Sequence, residues 1–187
     1  MFAKLRPHLI MAEIKKPSLV KPIVGAIFSS EGILIKAKVN LEKKFGPLDF
    51  ESSIVPFNST KYYEKEMGPG LLRQFLSFQR LINPQDLAAI KLYTNRLEKR
   101  LSCRQDRFSR KINLDPGYIC ASKLVLATCK NYSHRIYLDK GVFAEVSLHF
   151  RQGTFIPWPW TYPDYKTSEY VRCFNAIREI YLKQLPR

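Results

Sequence analysis

Side chains that could take part in chemistry are concentrated between Asn113 and Tyr165. Three of them, Asp115, His134 and Glu145, belong to the types that act as general acids, general bases or metal ligands. One interpretation is an enzyme in which Asp115 or Glu145 is the base or a metal ligand and His134 is the acid. Asp115 also opens an Asp-Pro-Gly sequence, in which each residue type favours a turn. A turn is therefore the structural role that we expect for Asp115.

A cation close to a carboxylate indicates a different kind of site, one that binds an anion. A three-residue turn at Asp139–Gly141 predicts a hairpin in which Arg135 lies opposite Glu145. Glu145 would then orient the donors of Arg135 toward a phosphate or carboxylate, and Lys123 and Lys130 would add positive charge. An ordinary cross-strand ion pair explains the same residues without a ligand.

The same hairpin predicts which side chains are buried, because side chains alternate between the two faces of a strand. A second tight turn at Asn131–Ser133 would pair the strand that begins at Lys123 directly with the strand that follows Arg135. Lys123, Val125, Ala127 and Cys129 would then share the face of Arg135. The residues expected on the opposite, core face are Ile136, Leu138, Val142, Ala144 and Val146.

Five further residues are expected to border an anion site. Lys91 and Asn95 recur at helical spacing on one helix face, although a solvated face explains that spacing equally well. Tyr62 and Tyr165 are placed to stack on a ring of the ligand. Asp164 adds a carboxylate beside Tyr165, in an aromatic segment before the last helix.

Several familiar motifs are absent, which limits the function classes. The chain has no GxxxxGK[ST] phosphate loop, no GxGxxG dinucleotide motif and no GxSxG nucleophile elbow. Its four cysteines contain no Cys-x-x-Cys pair, and its three histidines contain no pair at helical spacing. No metal site is therefore predicted, and the cofactor, if any, is unknown.

The composition is that of a folded and strongly basic protein. Of 187 residues, 31 are Lys or Arg and 16 are Asp or Glu, which gives a formal net charge of +15. This balance favours anionic partners, so nucleic acid is a partner class to consider beside a small ligand. The segment Met1–Ile10 is too short and too charged to span a membrane, and no membrane association is expected. Because no secretory signal is recognised, we expect a cytoplasmic protein with reduced cysteines.

The elements that would position these residues follow the order strand, helix, strand, strand, helix, strand between Val20 and Tyr118. This is the order of a ferredoxin-like αβ sandwich, a fold of the α+β class. An antiparallel β-meander over Lys123–Ile156 and a C-terminal helix starting near Thr167 would extend it. We expect residues 1–15 to form a basic, disordered N-terminal arm and residues 16–187 to form a single α+β domain.

Several strings, taken together, resemble the prokaryotic domain-of-unknown-function family 4416. They are Thr60-x-Tyr62-Tyr63-x-x-Glu66-Met67-Gly68, Ile90-Lys91-x-x-Thr94-Asn95-x-x-Glu98, Asp115-Pro-Gly-Tyr118, Lys123-Leu-Val-Leu-Ala-Thr128, His134-Arg-Ile-Tyr-Leu138, Gly141-Val-Phe-Ala-Glu145 and Trp160-Thr-Tyr-Pro-Asp-Tyr165. Members of that family often carry the name "GTP-binding protein", which implies an anionic, nucleotide-like ligand, although no GTPase phosphate loop is present here. The family pattern points to Asp115, Lys123, His134, Arg135, Glu145 and Asp164 without assigning roles to them.

The sequence thus predicts a protein that binds an anionic small molecule, phosphorylated or nucleotide-like, on a basic sheet face. Two alternatives stay open. One is an enzyme that acts on a phosphorylated substrate through Asp115, Glu145 and His134. The other is an RNA-binding module, which the net charge and the tyrosines favour.

Overall fold

The computed structural model describes residues 13–102 and 105–186, and these residues form nine β-strands and four α-helices. The strands are β1 (Lys21–Phe28), β2 (Leu48–Glu51), β3 (Val55–Pro56), β4 (Leu72–Phe78), β5 (Ile112–Ile119), β6 (Lys123–Thr128), β7 (Ile136–Asp139), β8 (Val142–Arg151) and β9 (Thr154–Pro157). The helices are α1 (Glu31–Phe45), α2 (Glu64–Met67), α3 (Leu87–Leu101) and α4 (Ser168–Gln184). Short 3-10 helices at Pro84–Asp86 and Asp164–Lys166 precede α3 and α4.

The described strands form one antiparallel sheet. Its strand order is β2-β4-β1-β5-β6-β8-β7, and in addition β3 pairs with β4 and β9 pairs with β8. Strand β1 lies between β4 and β5 and is buried along its whole length. Its continuous apolar run is the pattern of a strand that is covered on both faces.

Helices cover both faces of the sheet. Leu34 and Leu41 of α1 and Leu97 of α3 pack on one face, against alternate side chains of β1, β4 and β5. Phe174 and Ile177 of α4 pack on the other face in a second apolar cluster. The apolar stripes at helical spacing in these helices are explained by this burial. Side chains on the α4 face of the strands form the floor of the candidate site.

The order of the last strands differs from the prediction. Strand β6 pairs with β8 and not with β7, so the predicted tight turn at Asn131–Ser133 is wrong. Leu126, not Val125 or Ala127, therefore lies opposite Glu145. Val125 and Ala127 face α3 instead, in a cluster with Val142, Ala144 and Val146. A sequence with two plausible turns does not reveal which strands become neighbours, because strand order depends on long-range contacts.

Strand β7 is an edge strand, which changes the predicted core. The predicted register is present at Ile136 with Ala144 and at Tyr137 with Phe143, but the turn has two residues, Lys140-Gly141, both with positive φ. Ile136 is 69% exposed and Leu138 is also exposed, so both were wrongly assigned to the core. No described strand covers the outer side of β7, and side-chain alternation alone cannot bury residues there.

The Asp115-Pro116-Gly117 sequence lies within β5, so the predicted turn is wrong. Strand β5 pairs with β1 along its whole length, whereas its pairing with β6 is limited to Gly117–Ile119. Pro116 has no N–H to donate, and it lies where the pairing with β6 ends. A Cβ at Gly117 would lie 2.3 Å from the carbonyl oxygen of Val125, so the close approach of β6 requires glycine. Tertiary packing has overridden the local turn preference.

The α+β class is confirmed as a mixed fold with a large antiparallel sheet and four helices in the described part of the chain. The ferredoxin-like arrangement stays a prediction. Most of the predicted arm at residues 1–15 lies outside the described residues. Among the helices that the structure describes, none is both long and apolar enough to cross a membrane.

Candidate functional site

A cavity of about 470 Å³ opens on the α4 face of the sheet, and no residue of α4 lines it. Its floor is formed by side chains of five neighbouring strands, β4, β1, β5, β6 and β8. One wall is the loop that contains α2, and the other is the segment before α4. The floor carries Arg73, Asp115, Thr128 and Glu145, and the walls carry Tyr62, Tyr63, Tyr162, Asp164 and Tyr165.

Arg73 on β4 lies in the floor of this cavity with only 1% of its surface exposed. Its Nη2 donates a hydrogen bond of 2.9 Å to the hydroxyl of Tyr165. Nη1 lies 3.5 Å from a carboxylate oxygen of Asp115, and Nη2 lies 3.6 Å from one of Asp164. The ring of Phe75 contacts the guanidinium in a cation–π arrangement, 4.6 Å from its centroid. Nε has no hydrogen-bond partner among the described residues, so donor capacity remains.

The pKa values of Arg73, Asp164 and Tyr165 are shifted by burial and by their neighbours. Burial by itself would lower the pKa of Arg73. The electrostatic effect of the oxygen atoms of Tyr165, Asp164 and Asp115 outweighs burial, so the pKa is raised. Burial raises the pKa of Asp164, and Asp115 adds to the rise while Arg73 opposes it. Burial also raises the pKa of Tyr165 well above its ordinary value. Arg73 therefore stays charged, and Asp164 keeps its proton to a higher pH than an ordinary aspartic acid.

Asp115 is positioned by a residue of its own strand, Asn113, and by Lys91 of α3. Its Oδ2 accepts a hydrogen bond of 2.8 Å from Asn113. Lys91 reaches it from α3, with Nζ 4.0 Å from Oδ1, and donates to the carbonyl oxygen of Leu114 at 3.0 Å. Lys91 is buried, not part of a solvated helix face, and it supports Asp115 without lining the cavity.

Glu145 is buried at the floor of the cavity and binds three side chains. Its Oε2 lies 3.0 Å from both Nε of Arg135 and Nε2 of His134, and its Oε1 accepts a hydrogen bond of 2.9 Å from Ser147. The predicted proximity of Arg135 and Glu145 is thus present. His134 also stacks on Trp160, with ring centroids 5.3 Å apart. Neither His134 nor Arg135 lines the cavity itself.

The guanidinium of Arg135 contacts three groups of the protein. Besides the contact with Glu145, its Nη1 donates to the carbonyl oxygen of Lys130 at 2.9 Å, and its Nη2 donates to the hydroxyl of Tyr162 at 2.8 Å. Each nitrogen of the fork therefore has a protein partner. Arg135 acts as a clamp that fixes Lys130 and Tyr162 at the cavity. Its predicted direct contact with an anion stays a prediction.

The two lysines predicted for the anion site lie at opposite ends of β6. Lys123 pairs in register with His149 and lies outside the cavity lining. Lys130 follows the other end of β6 and lines the cavity rim. Its Nζ donates to the hydroxyl of Tyr62 at 3.0 Å and lies 4.3 Å from the centroid of that ring. Asn95 is also outside the lining, and its amide contacts the sulfur of Cys129 at 3.2 Å.

Arg110 anchors the wall that carries Tyr62 and Tyr63. Its guanidinium forms ion pairs of 3.0 Å with Glu66 on α2 and 2.9 Å with Glu98 on α3, and it lies 5.7 Å from the ring centroid of Tyr63. Burial raises the pKa of Glu98 despite the opposing charges of Lys91 and Arg110. This clamp ties the loop to the body of the protein.

Several residues of the cavity lining were not predicted as site residues, and Arg73, Tyr63 and Tyr162 are among them. Arg73 could have been found, because it is the only charged residue in the otherwise apolar and polar run Leu71–Phe78. A charged side chain that points into the interior from a buried strand needs oppositely charged or hydrogen-bonding partners. Tyr162 lies in the aromatic segment that was noted, but only the clamp by Arg135 identifies its role.

The described side chains do not suggest a metal centre. Within residues 13–102 and 105–186, no group of three His, Cys, Asp or Glu residues is arranged to hold a metal ion. Cys120, Cys129 and Cys173 are free thiols, and Cys103 lies outside the described residues. The polar groups that line the cavity are carboxylates, aliphatic hydroxyls, phenols, one arginine and one lysine.

Comparisons with known proteins give a family but no activity. Neither the curated proteins nor the solved structures include a match to this chain. A family model described as a domain of unknown function, DUF4416, matches residues 18–181, which is most of the chain and contains every residue of the cavity lining. The chain therefore belongs to the DUF4416 family.

Proposed function

We propose that the cavity binds an anionic small molecule, phosphorylated or nucleotide-like. The observation that carries this proposal is Lys130, a cation at the rim of an aromatic-walled cavity. Among the described residues its ammonium group has a phenol partner, Tyr62, and forms no ion pair with a carboxylate. An ammonium group has three N–H donors, so donors and an uncompensated positive charge remain for a ligand.

The size and walls of the cavity support a ligand that contains a ring. Small-molecule sites have volumes on the order of 300–1,000 Å³, and the volume of this cavity lies within that range. Tyr62, Tyr63 and Tyr162 offer rings from both walls. Stacking of a base on such a ring contributes about 1–3 kcal/mol and is tolerant of base identity.

The proposal is tested by native mass spectrometry of the purified protein and by a thermal-shift panel of nucleotides, phosphosugars and inorganic phosphate. We expect at least one phosphorylated compound to raise the melting temperature of the wild type. Lys130→Ala should abolish most of that shift, and Lys123→Ala should not, because Lys123 is an exposed lysine at the other end of β6 and lies outside the cavity. An equal response of both variants would contradict the proposal.

A second candidate function is an enzyme that acts on a phosphorylated substrate in the same cavity. The specific observation in its favour is that Asp115, Glu145 and Asp164 all line one cavity. His134, the predicted acid, binds Glu145 and would act through it. Incubation of the stabilising compounds with the protein, followed by phosphate and product analysis, tests this function. Turnover that survives in Asp115→Asn would exclude Asp115 as the base.

The RNA-binding alternative rests on the net charge of +15 and on exposed tyrosines such as Tyr132 and Tyr137. It predicts an affinity that falls steeply with salt, because each phosphate contact releases counterions. Binding that is absent at low ionic strength would exclude it.

We also propose that residues 16–187 form one domain with a ferredoxin-like half. The strand order β2-β4-β1-β5 and the position of α1 and α3 on one face support this assignment.

A further inference from the structure

The polar groups of the cavity differ with depth, and this difference indicates how a ligand would be oriented. The buried lining groups are Arg73, Glu145 and Asp164, with Asp115 half-buried beside them. We call these four residues the inner end. The exposed lining groups are hydroxyls and the ammonium group of Lys130. We call these groups, together with the half-buried Thr128, the rim. Its residues are Ser59, Thr60, Thr128 and Lys130.

The inner end does not present a net positive charge to a ligand. Arg73 is flanked by the carboxylates of Asp115 and Asp164 at 3.5 and 3.6 Å, so two acids face one guanidinium. The charge of Glu145 is balanced from outside the lining by Arg135. A phosphate placed among these carboxylates would meet like charge next to buried groups. Hydroxyl or N–H donors, in contrast, would find carboxylate acceptors there.

The rim has the opposite character. Thr128 accepts a hydrogen bond from the backbone N–H of Lys130 at 3.2 Å, and Thr60 accepts one from the backbone N–H of Tyr62 at 3.1 Å. Each hydroxyl oxygen is thereby oriented while its own proton stays free to donate. Two hydroxyl donors beside the ammonium group of Lys130 are suited to phosphate oxygens.

We infer that the ligand is a phosphate ester of a ring compound rich in hydroxyl or N–H donors, bound with its ring at the inner end and its phosphate at the rim. Nucleoside phosphates and sugar phosphates belong to this class. This inference rests on the proposed function and adds the orientation of the ligand. Because the phosphate lies at the exposed end, additional phosphates extend into solvent, and mono-, di- and triphosphates bind with similar affinity.

The orientation is tested by titration calorimetry with matched pairs of compounds that differ only in the phosphate. Suitable pairs are adenosine with its 5′-monophosphate, guanosine with its 5′-monophosphate, and ribose with ribose 5-phosphate. For the pair that binds, the wild type should prefer the phosphorylated member by about tenfold or more, as expected for hydrogen bonds to a charged group. The di- and triphosphates of the same nucleoside should bind about as tightly as the monophosphate.

Variants of the two ends should separate their contributions. In Lys130→Ala the preference for the phosphorylated member should fall to about twofold, and Thr128→Val should lie between this variant and the wild type. In Asp115→Asn both members of the pair should bind more weakly by the same factor, so that the preference is unchanged. Asp164→Asn serves as a second inner-end variant if Asp115→Asn does not fold.

The opposite pattern would overturn the orientation. If Asp115→Asn or Asp164→Asn changes the preference for phosphate while Lys130→Ala does not, the phosphate lies at the inner end. Exclusion of the triphosphate by a protein that binds the monophosphate would have the same meaning. If none of these compounds binds the wild type, the proposed function itself is contradicted, and the orientation with it.

Discussion

The guanidinium of Arg73 lies over the backbone of Gly25. A Cβ built on Gly25 would be 2.9 Å from Nη2 of Arg73 and 3.0 Å from the hydroxyl of Tyr165. Gly25 pairs in register with Asp115 on β5, so Arg73 on β4 reaches that carboxylate across β1 through the space that a side chain would fill. The missing side chain of one residue thus allows the central ion pair of the cavity to form.

Gly25→Ala should therefore displace Arg73 and Tyr165. Overpacking of a buried site costs about 1–3 kcal/mol, and we expect a loss of this size in the free energy of unfolding measured with urea. Gly32→Ala is the matched control, because no atom lies within 4 Å of a Cβ built there, on α1. That variant should be neutral or more stable by several tenths of a kcal/mol. Equal stabilities of the two variants would contradict the close packing over Gly25.

Arg135→Lys should loosen the cavity although the charge is kept. A lysine cannot contact Glu145, the carbonyl oxygen of Lys130 and the hydroxyl of Tyr162 at once, as the guanidinium does. Loss of these contacts should lower the free energy of unfolding by about 1–3 kcal/mol and weaken binding of any phosphorylated compound. Arg151→Lys, at the exposed end of β8, is the control. Unchanged binding in Arg135→Lys would exclude the clamp role.

Asp164→Asn should change the pH dependence of stability. The pKa of Asp164 is raised in the folded state, chiefly by burial, so the folded protein holds this proton more tightly than the unfolded chain. Its contribution to stability is therefore present at low pH and is lost as pH rises from the ordinary carboxyl pKa through the raised value. The free energy of unfolding of the variant relative to the wild type should increase over that window. A difference that stays constant with pH would contradict the raised pKa.

Because β7 is an edge strand, the exposed side chain of Ile136 should contribute little to the stability of the fold. Ile136→Ala should change the free energy of unfolding by less than about 0.5 kcal/mol, because the side chain is exposed. Val142→Ala, in the neighbouring strand, should cost about 1–3 kcal/mol, because Val142 is fully buried against α3 and β6. Unfolding of both variants in urea gives the comparison. A large loss for Ile136→Ala would indicate that another chain covers this edge.

Local signals in the sequence predicted the individual elements well. The apolar run of β1, the apolar stripes of α3 and α4 and the register of Ile136 with Ala144 all follow from short-range periodicity. The neighbours of β6 and β7 could not be predicted, because two antiparallel orders satisfy the same alternation. The turn preference of Asp115-Pro116-Gly117 gave the wrong structure for a related reason. Pairing with β1 outweighs local propensity along the whole of β5.

The candidate site was predicted in part. Asp115, Glu145, Asp164, Lys130 and other motif residues do line one cavity or support it, since their strands meet on one face of the sheet. Lys123 was included because the wrong strand pairing placed it beside Arg135. Arg73 was missed because a single arginine in an apolar strand carries no motif, and only the fold brings its three acidic and phenolic partners together.

The most direct test of the central claim, that the ligand occupies this cavity, is a steric block that assumes nothing about chemistry. Ser59→Trp places an indole at the cavity rim, and Ser53→Trp places one on an exposed serine that is not part of the lining. The affinity of the compound that stabilises the wild type most is then measured by titration calorimetry. We predict that Ser59→Trp abolishes binding while Ser53→Trp leaves it unchanged. Wild-type affinity in a folded Ser59→Trp variant would contradict the account.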